Sequence, residues 1–172
     1  MKTVFVCPFN LNRLTGTPIR TRITVRAVAT YAEVSVVASG GDMPDAKVFS
    51  VGQSSLITFS KRALSILRSE KPDVLHGITT VSIVPMMLYK IMHPSVRIIF
   101  EMHGWAWFEQ KNSGMSFARV LFLKLDCIGL WFAHTVIAMS ETQRAFLQKR
   151  TLRPSRIVVI WGPSEFEPVF TD

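Results

Sequence analysis

The sequence predicts an α/β protein: a Rossmann-like, doubly wound parallel sheet with helices on both faces, in three α/β/α layers. Two observations carry that expectation. The strand-like segments are largely apolar: TVFVC at Thr3–Cys7 is a continuous run, and VRIIFEM at Val96–Met102 is broken only by Arg97 and Glu101. That is the pattern of strands buried on both faces rather than one. Stretches with helical spacing separate most of them, and alternating strands and helices build parallel sheets through right-handed crossovers.

Taken in order, Thr3–Cys7 is a buried strand, and Pro8–Pro18 is a loop carrying Asn10, Asn12, Thr15 and Gly16. A helix over Ile19–Ala32 follows, then a strand over Glu33–Ala38 ended by Gly40 and Gly41, and a short strand over Lys47–Val51. Leu56–Ser69 is amphipathic, with Leu56, Phe59, Ala63, Ile66 and Leu67 on one face and Lys61, Arg62 and Arg68 elsewhere. Pro72 opens a strand over Asp73–His76, and Gly77 turns the chain into a helix over Thr80–Met92 that His93 and Pro94 stop. The strand Val96–Met102 runs into a loop with Trp105, Trp107 and Phe108, then a long helix from Met115 to about Phe132. A strand over Thr135–Met139, a helix over Glu141–Lys149 capped by Ser140, and a strand over Ile157–Trp161 complete the pattern. No internal repeat or interior linker interrupts it. The tail from Gly162 to Asp172 carries Pro163 and Pro168 and no periodicity.

At 172 residues and 48% apolar, the chain suits one domain with a full core. Its net charge is +8, from 20 Lys and Arg against 12 Asp and Glu. Such a balance points to nucleic acid, an anionic membrane surface or a phosphorylated ligand. No acid precedes Glu33, whereas Lys2, Arg13, Arg20, Arg22 and Arg26 do; Arg144, Lys149, Arg150, Arg153 and Arg156 form a second basic run. With no zinc-finger spacing, aromatic RNA-binding signature or recognition helix, nucleic acid is the weaker partner. Cys7 and Cys127 are too few for a disulfide framework and are expected to be buried free thiols in a reducing compartment. No apolar run of about 18 residues is free of charge, so a spanning helix is not expected; Phe117–Ala133 is interrupted by Arg119, Lys124 and Asp126. Cytoplasm is the expected location, with the membrane's cytoplasmic face as the alternative.

Candidate site residues lie where strands end, because ligands of open parallel sheets bind outside the carboxyl ends of the strands. His103 and Gly104 end one such strand, and Glu101, two residues earlier, shares the face of His103 and can orient its imidazole. The plain alternative pairs Glu101 with a helix arginine. His76 and Gly77 repeat the His-Gly pattern one strand earlier. Gly16 lies in LTGTPIRTR, where a glycine and a helix start admit a phosphate, and Thr15 or Thr17 can cap that helix. Ser140 and Glu141 read first as a cap and a dipole partner, and also sit at the ligand edge. Trp105, Trp107 and Phe108 suit a flap, a membrane anchor or an acceptor platform. His93 and His134 fall at the opposite edge and read as structural, and no metal-ligand spacing is present.

In order along the chain, PDVLHG (Pro72–Gly77), FEMHG (Phe100–Gly104), AHTVIAMSETQRAFL (Ala133–Leu147) and PSRIVVIWG (Pro154–Gly162) resemble segments of one family. It is the N-terminal domain of retaining GT-B glycosyltransferases, the glycogen-synthase-like group called family four. The resemblance implies one half of a two-lobed fold, with residues 1–162 as the acceptor-binding domain and 163–172 as a tail or the start of an interdomain linker. It implies a nucleotide-sugar donor such as a UDP- or GDP-sugar, no other cofactor, and a carbohydrate or lipid-linked acceptor. His103 matches the histidine that contacts the donor sugar, with Glu101 beside it; Gly16 and Thr17 match the loop near the donor diphosphate. His76, Gly77, Gly104, Trp105, Ser140 and Glu141 would line the cleft. Three departures stand out: one glycine where the family's loop carries at least two, Trp161-Gly162-Pro163 in place of Pro-Asn-Gly, and no C-terminal donor-binding domain. The expected partner is therefore that domain, on the same chain or on a separate subunit. The alternatives are a membrane-recruiting or partner-binding module and a sugar-nucleotide epimerase-like half.

Overall fold

The computed structural model describes residues 1–103 and 117–160. Seven strands form one sheet: β1 (Lys2–Asn10), β2 (Glu33–Gly40), β3 (Lys47–Ser50), β4 (Val74–Ile78), β5 (Arg97–Met102), β6 (Thr135–Ala138) and β7 (Ile157–Val159). Among the described residues, five α-helices accompany them: α1 (Gly16–Ala29), α2 (Leu56–Glu70), α3 (Ile83–Met92), α4 (Phe117–Phe132) and α5 (Glu141–Gln148). The strand order is β3-β2-β1-β4-β5-β6-β7, and every pairing is parallel. The order reverses between β1 and β4. In a doubly wound sheet that reversal opens the ligand crevice.

Alternation along the strands sorts side chains onto two faces. Val4, Val6, Leu75, Phe100 and Met102 join one core cluster with Phe59 and Leu67 of α2, Met86 and Tyr89 of α3 and Leu130 of α4. Phe5, Cys7, Val36, Ala38 and Ile78 join a second cluster with Val25 of α1. Val28 and Ala29 of α1 pack against that cluster, whereas nearer its start the helix buries Arg20 and Thr21 beside Pro18. A helix that turns a buried arginine toward a sheet needs a charge there to meet it.

Several boundaries differ from the sequence reading. α1 starts at Gly16, not Ile19, because its buried first turns lack the apolar periodicity that would reveal them. Thr15 is its N-cap by backbone geometry, without a side-chain hydrogen bond. The Thr80–Met92 segment splits into a 3₁₀ turn over Thr80–Ser82 and α3. Gly77 does not turn the chain; it lies inside β4, where an added Cβ would sit 2.5 Å from Ser82 Oγ and 2.6 Å from Met86 Sδ. That glycine lets α3 press on the strand. The turn comes at Thr79, held at φ 68°, a strained value for a β-branched residue. Gly129 has the same packing role, its Cβ position lying 2.6 Å from Ile83 Cδ1 and 2.9 Å from Phe100 Cε1. Cys7 is buried as expected, but Cys127 is exposed: it points away from the sheet on the outer side of α4. Among the described residues, no helix is long and apolar enough to cross a membrane.

Candidate active site

Four side chains meet on the α1 face of the sheet beside the strand-order reversal. Glu101 of β5 is 1% exposed. Its Oε1 accepts from Arg20 Nε at 2.6 Å and faces His103 Nε2 at 2.8 Å. Its Oε2 faces His76 Nε2 at 2.9 Å. Strand register explains the meeting. His76 lies opposite Ile99 and Ile78 opposite Glu101, so the histidine and the carboxylate are diagonal neighbours on one face. Arg20 reaches them from α1, one helical turn beyond Gly16.

Burial by itself would push the Glu101 carboxyl pKa up. Hydrogen bonds from His103 and then His76, the charge of His76 and the Arg20 bond outweigh it and hold the group well below the usual carboxylate range. The carboxylate is therefore ionised, and each imidazole that faces it must carry a proton on Nε2. With Nε2 of His103 given to Glu101, Nδ1 is the nitrogen left for an outside group. Glu101 thus contacts both His103 and a helix arginine, the two partners the sequence offered as alternatives.

The surroundings fix this arrangement. His76 is 3% exposed and stacks on Phe5 of β1, ring centroids 4.5 Å apart. Arg20 Nη2 also donates to the carbonyl of Ile160, just past β7, at 3.0 Å. Gln143 of α5 donates through Nε2 to the Met102 carbonyl at 3.1 Å and accepts the Met139 N–H at 2.6 Å, which pins the backbone ahead of His103. The Thr79 N–H reaches the Glu101 carbonyl at 3.3 Å.

The remaining candidates divide. Gly16 is exposed at the first position of α1, and an added Cβ there would meet nothing within 4 Å, so the backbone is open to an approaching group. Thr17 is half-buried, and its carbonyl accepts from Thr21 Oγ1 at 2.8 Å. His76 and Gly77 do not line the crevice; they are buried within β4, and His76 reaches the site only through Glu101. Ser140 caps α5 by accepting the Gln143 N–H at 3.1 Å, and Glu141 is exposed and paired with Arg144 at 3.0 Å. Both stand near the rim with local structural partners. Gly104, Trp105, Trp107 and Phe108 lie outside the described residues, as do Trp161, Gly162 and Pro163. His134 is structural: its Nδ1 accepts the Ile98 N–H at 3.0 Å.

Sequence reasoning missed two residues. Arg20 stood among other basic residues as part of a charge bias; the signal was its place one turn after Gly16, in a helix start without an apolar stripe. Gln143 carried no signal, because a glutamine in the first turn of a helix reads as solvated surface.

The family profile of Glycosyltransferase Family 4 matches residues 22–163, most of the chain. The chain belongs to glycosyltransferase family 4. Solved structures agree on the fold of this family 4 domain. Sucrose-phosphate synthase from Thermosynechococcus elongatus superposes with a TM-score of 0.75 at 11% identity, over 94% of this chain and 48% of that one. The lipopolysaccharide outer core galactosyltransferase WaaB gives 0.69 at 13% identity, over 98% of this chain and 48% of that one. A UDP-GlcNAc 2-epimerase from Methanocaldococcus jannaschii gives 0.64 at 13% identity, over 93% and 45%. No curated protein matches the sequence. The family 4 domain thus spans about half the length of these structures and has the fold of the N-terminal half of a GT-B glycosyltransferase.

Proposed function

We propose that this domain is the acceptor-side half of a retaining glycosyltransferase of the hexosyl type, which takes its sugar from a nucleotide-sugar donor such as a UDP- or GDP-sugar. The observation that carries the reading is the pairing of buried Glu101 with part-exposed His103 at the strand-order reversal of a family 4 domain. His103 presents Nδ1 to a donor-sugar hydroxyl. The open backbone at Gly16 and the free N–H groups of the first turn of α1, Thr17 included, face the leaving diphosphate, whose charge the helix end stabilises. The acceptor hydroxyl attacks the anomeric carbon from the face the diphosphate leaves. Donor-binding groups come from a C-terminal domain, on the same polypeptide or a separate subunit.

A membrane-proximal or lipid-linked acceptor is supported by the outer side of α4. There Lys124, Cys127, Ile128 and Trp131 line a shallow apolar cavity of about 350 Å³. Trp131 is 64% exposed, and Thr151, Leu152 and Arg153 adjoin it. Apolar side chains rimmed by cations suit an anionic lipid surface on the cytoplasmic side.

The test supplies the domain with the donor half encoded beside or beyond it and follows nucleoside diphosphate release from a nucleotide sugar. Release that requires an acceptor and falls at least about 100-fold in His103→Ala supports the reading, since a group acting in the transition state is worth about that much. Consumption of the nucleotide sugar without acceptor would instead favour an epimerase-like half, a chemistry named for one of the structural neighbours. Sedimentation with anionic vesicles, reversed by salt and unaffected by His103→Ala, without any turnover, would favour a recruitment module.

A further inference from the structure

We infer that His76 is a positioning residue, which acts through Glu101 to hold His103 in the single tautomer that turns Nδ1 toward the crevice. The role of His76 follows from how the Glu101 oxygens are shared. Oε1 takes two donors, Arg20 Nε and His103 Nε2, while Oε2 takes one, His76 Nε2. The last torsion of a glutamate is broad and roughly two-fold, so a carboxylate tied by one oxygen can swing about that tie. His76 ties the other oxygen and fixes the plane. Only then does Oε1 lie where one lone pair meets the guanidinium and the other meets His103.

His76 is built to stay still. It sits mid-strand, paired in register with Phe5 on one side and Ile99 on the other, and its ring lies against the Phe5 ring at 26° between planes. Being 3% exposed, it touches no substrate. Arg20 supplies a full positive charge beside the carboxylate. In their neutral forms, two imidazoles that both donate through Nε2 leave two Nδ1 acceptors. One is buried with His76, and the other stands on His103 and accepts a hydrogen bond from a substrate hydroxyl. The positioning claim concerns this chain alone; only the hydroxyl as its beneficiary rests on the glycosyltransferase reading.

The experiment is ring ¹⁵N spectroscopy of the histidine-labelled chain at pH 8.5. In the wild type both His76 and His103 should show a protonated Nε2 and a bare Nδ1; an Nδ1–H form dominating at either ring overturns the proposal, whatever the variants do. In His76→Phe, which keeps the stack on Phe5 but offers Oε2 no donor, the minor Nδ1–H form of His103 should rise at least threefold. His76→Gln, whose amide N–H can take the place of Nε2–H, should return it to the wild-type level. An unchanged His103 spectrum in folded His76→Phe, or no recovery in His76→Gln, overturns the proposal. These spectra need no substrate, so failure of the transfer assay with the tautomers as described removes the glycosyltransferase reading and leaves the positioning role standing.

Discussion

Replacing Glu101 by glutamine removes the one negative charge that Arg20 meets in the interior. The guanidinium Nε lies 2.6 Å from the carboxylate, and both side chains are more than nine-tenths buried. Water cannot take over the orphaned charge, and breaking such a pair costs about 3–5 kcal/mol. At about 2–4 °C per kcal/mol for a chain of this size, the melting temperature should fall by about 6–20 °C. The loss has a pH signature. The carboxyl pKa is depressed in the folded state, so the unfolded chain binds the extra proton first. The stabilisation is complete above the unfolded value of about 4.3 and is lost as pH drops from there through the folded value. Glutamine has no proton to gain, so the gap between wild type and variant should narrow below about pH 4.3. Adding Arg20→Met removes the stranded cation, and the double-mutant cycle should show a coupling of about 2 kcal/mol. Urea unfolding followed by circular dichroism at pH 7, 5, 4 and 3 measures all of this. A loss under about 1 kcal/mol at pH 7, or a gap that stays constant to pH 3, would refute the reasoning, because a solvated or uncharged pair behaves that way.

Other outcomes follow from the packing and the caps. Gly77→Ala should cost about 1–3 kcal/mol by driving a methyl into Met86 and Ser82, and Met86→Ala should recover part of the loss in the double variant. Ser140→Ala should cost about 1 kcal/mol in thermal unfolding, because the Gln143 N–H loses its acceptor. The His134 pKa is lowered by burial and by the charges of Lys90, Arg156, Arg97 and Arg153. Its ring must be neutral to accept from Ile98, so its contribution is present above the unfolded pKa of about 6.5 and fades as pH falls below it. In His134→Ala that slope should vanish from a stability-against-pH series. A thiol reagent should titrate Cys127 in the native protein and Cys7 only in denaturant, since Cys127 is exposed and burial pushes the Cys7 thiol well up.

Much of this architecture was legible because its strands are apolar on both faces. Thr3–Cys7, Glu33–Ala38 and Val96–Met102 show in the sequence as short, mainly apolar runs, and the structure makes them neighbours or near neighbours in one parallel sheet. Glu101 and His103 were legible as a pair because a spacing of two on a strand puts both on one face. What was hidden lay in relations no local pattern encodes. His76 looked like a strand end because glycine follows it, yet that glycine admits Met86 and the strand runs on to Ile78. The start of α1 was obscured because its buried residues there are Pro18, Arg20 and Thr21, which carry no apolar stripe. Cys127 was misplaced because α4 is apolar around much of its circumference, so hydropathy did not say which side meets the sheet.

The fork of Arg20 grips the Glu101 carboxylate with Nε and the Ile160 carbonyl with Nη2. Ile160 is where the polypeptide leaves β7, so one rigid planar group rivets the end of that strand to the buried carboxylate. The two ends of that rivet lie 59 positions apart in sequence, and neither can shift by an ångström without tugging the other. A displacement of the backbone at Ile160 would thus be felt at the Glu101 carboxylate and, through it, at the His103 ring.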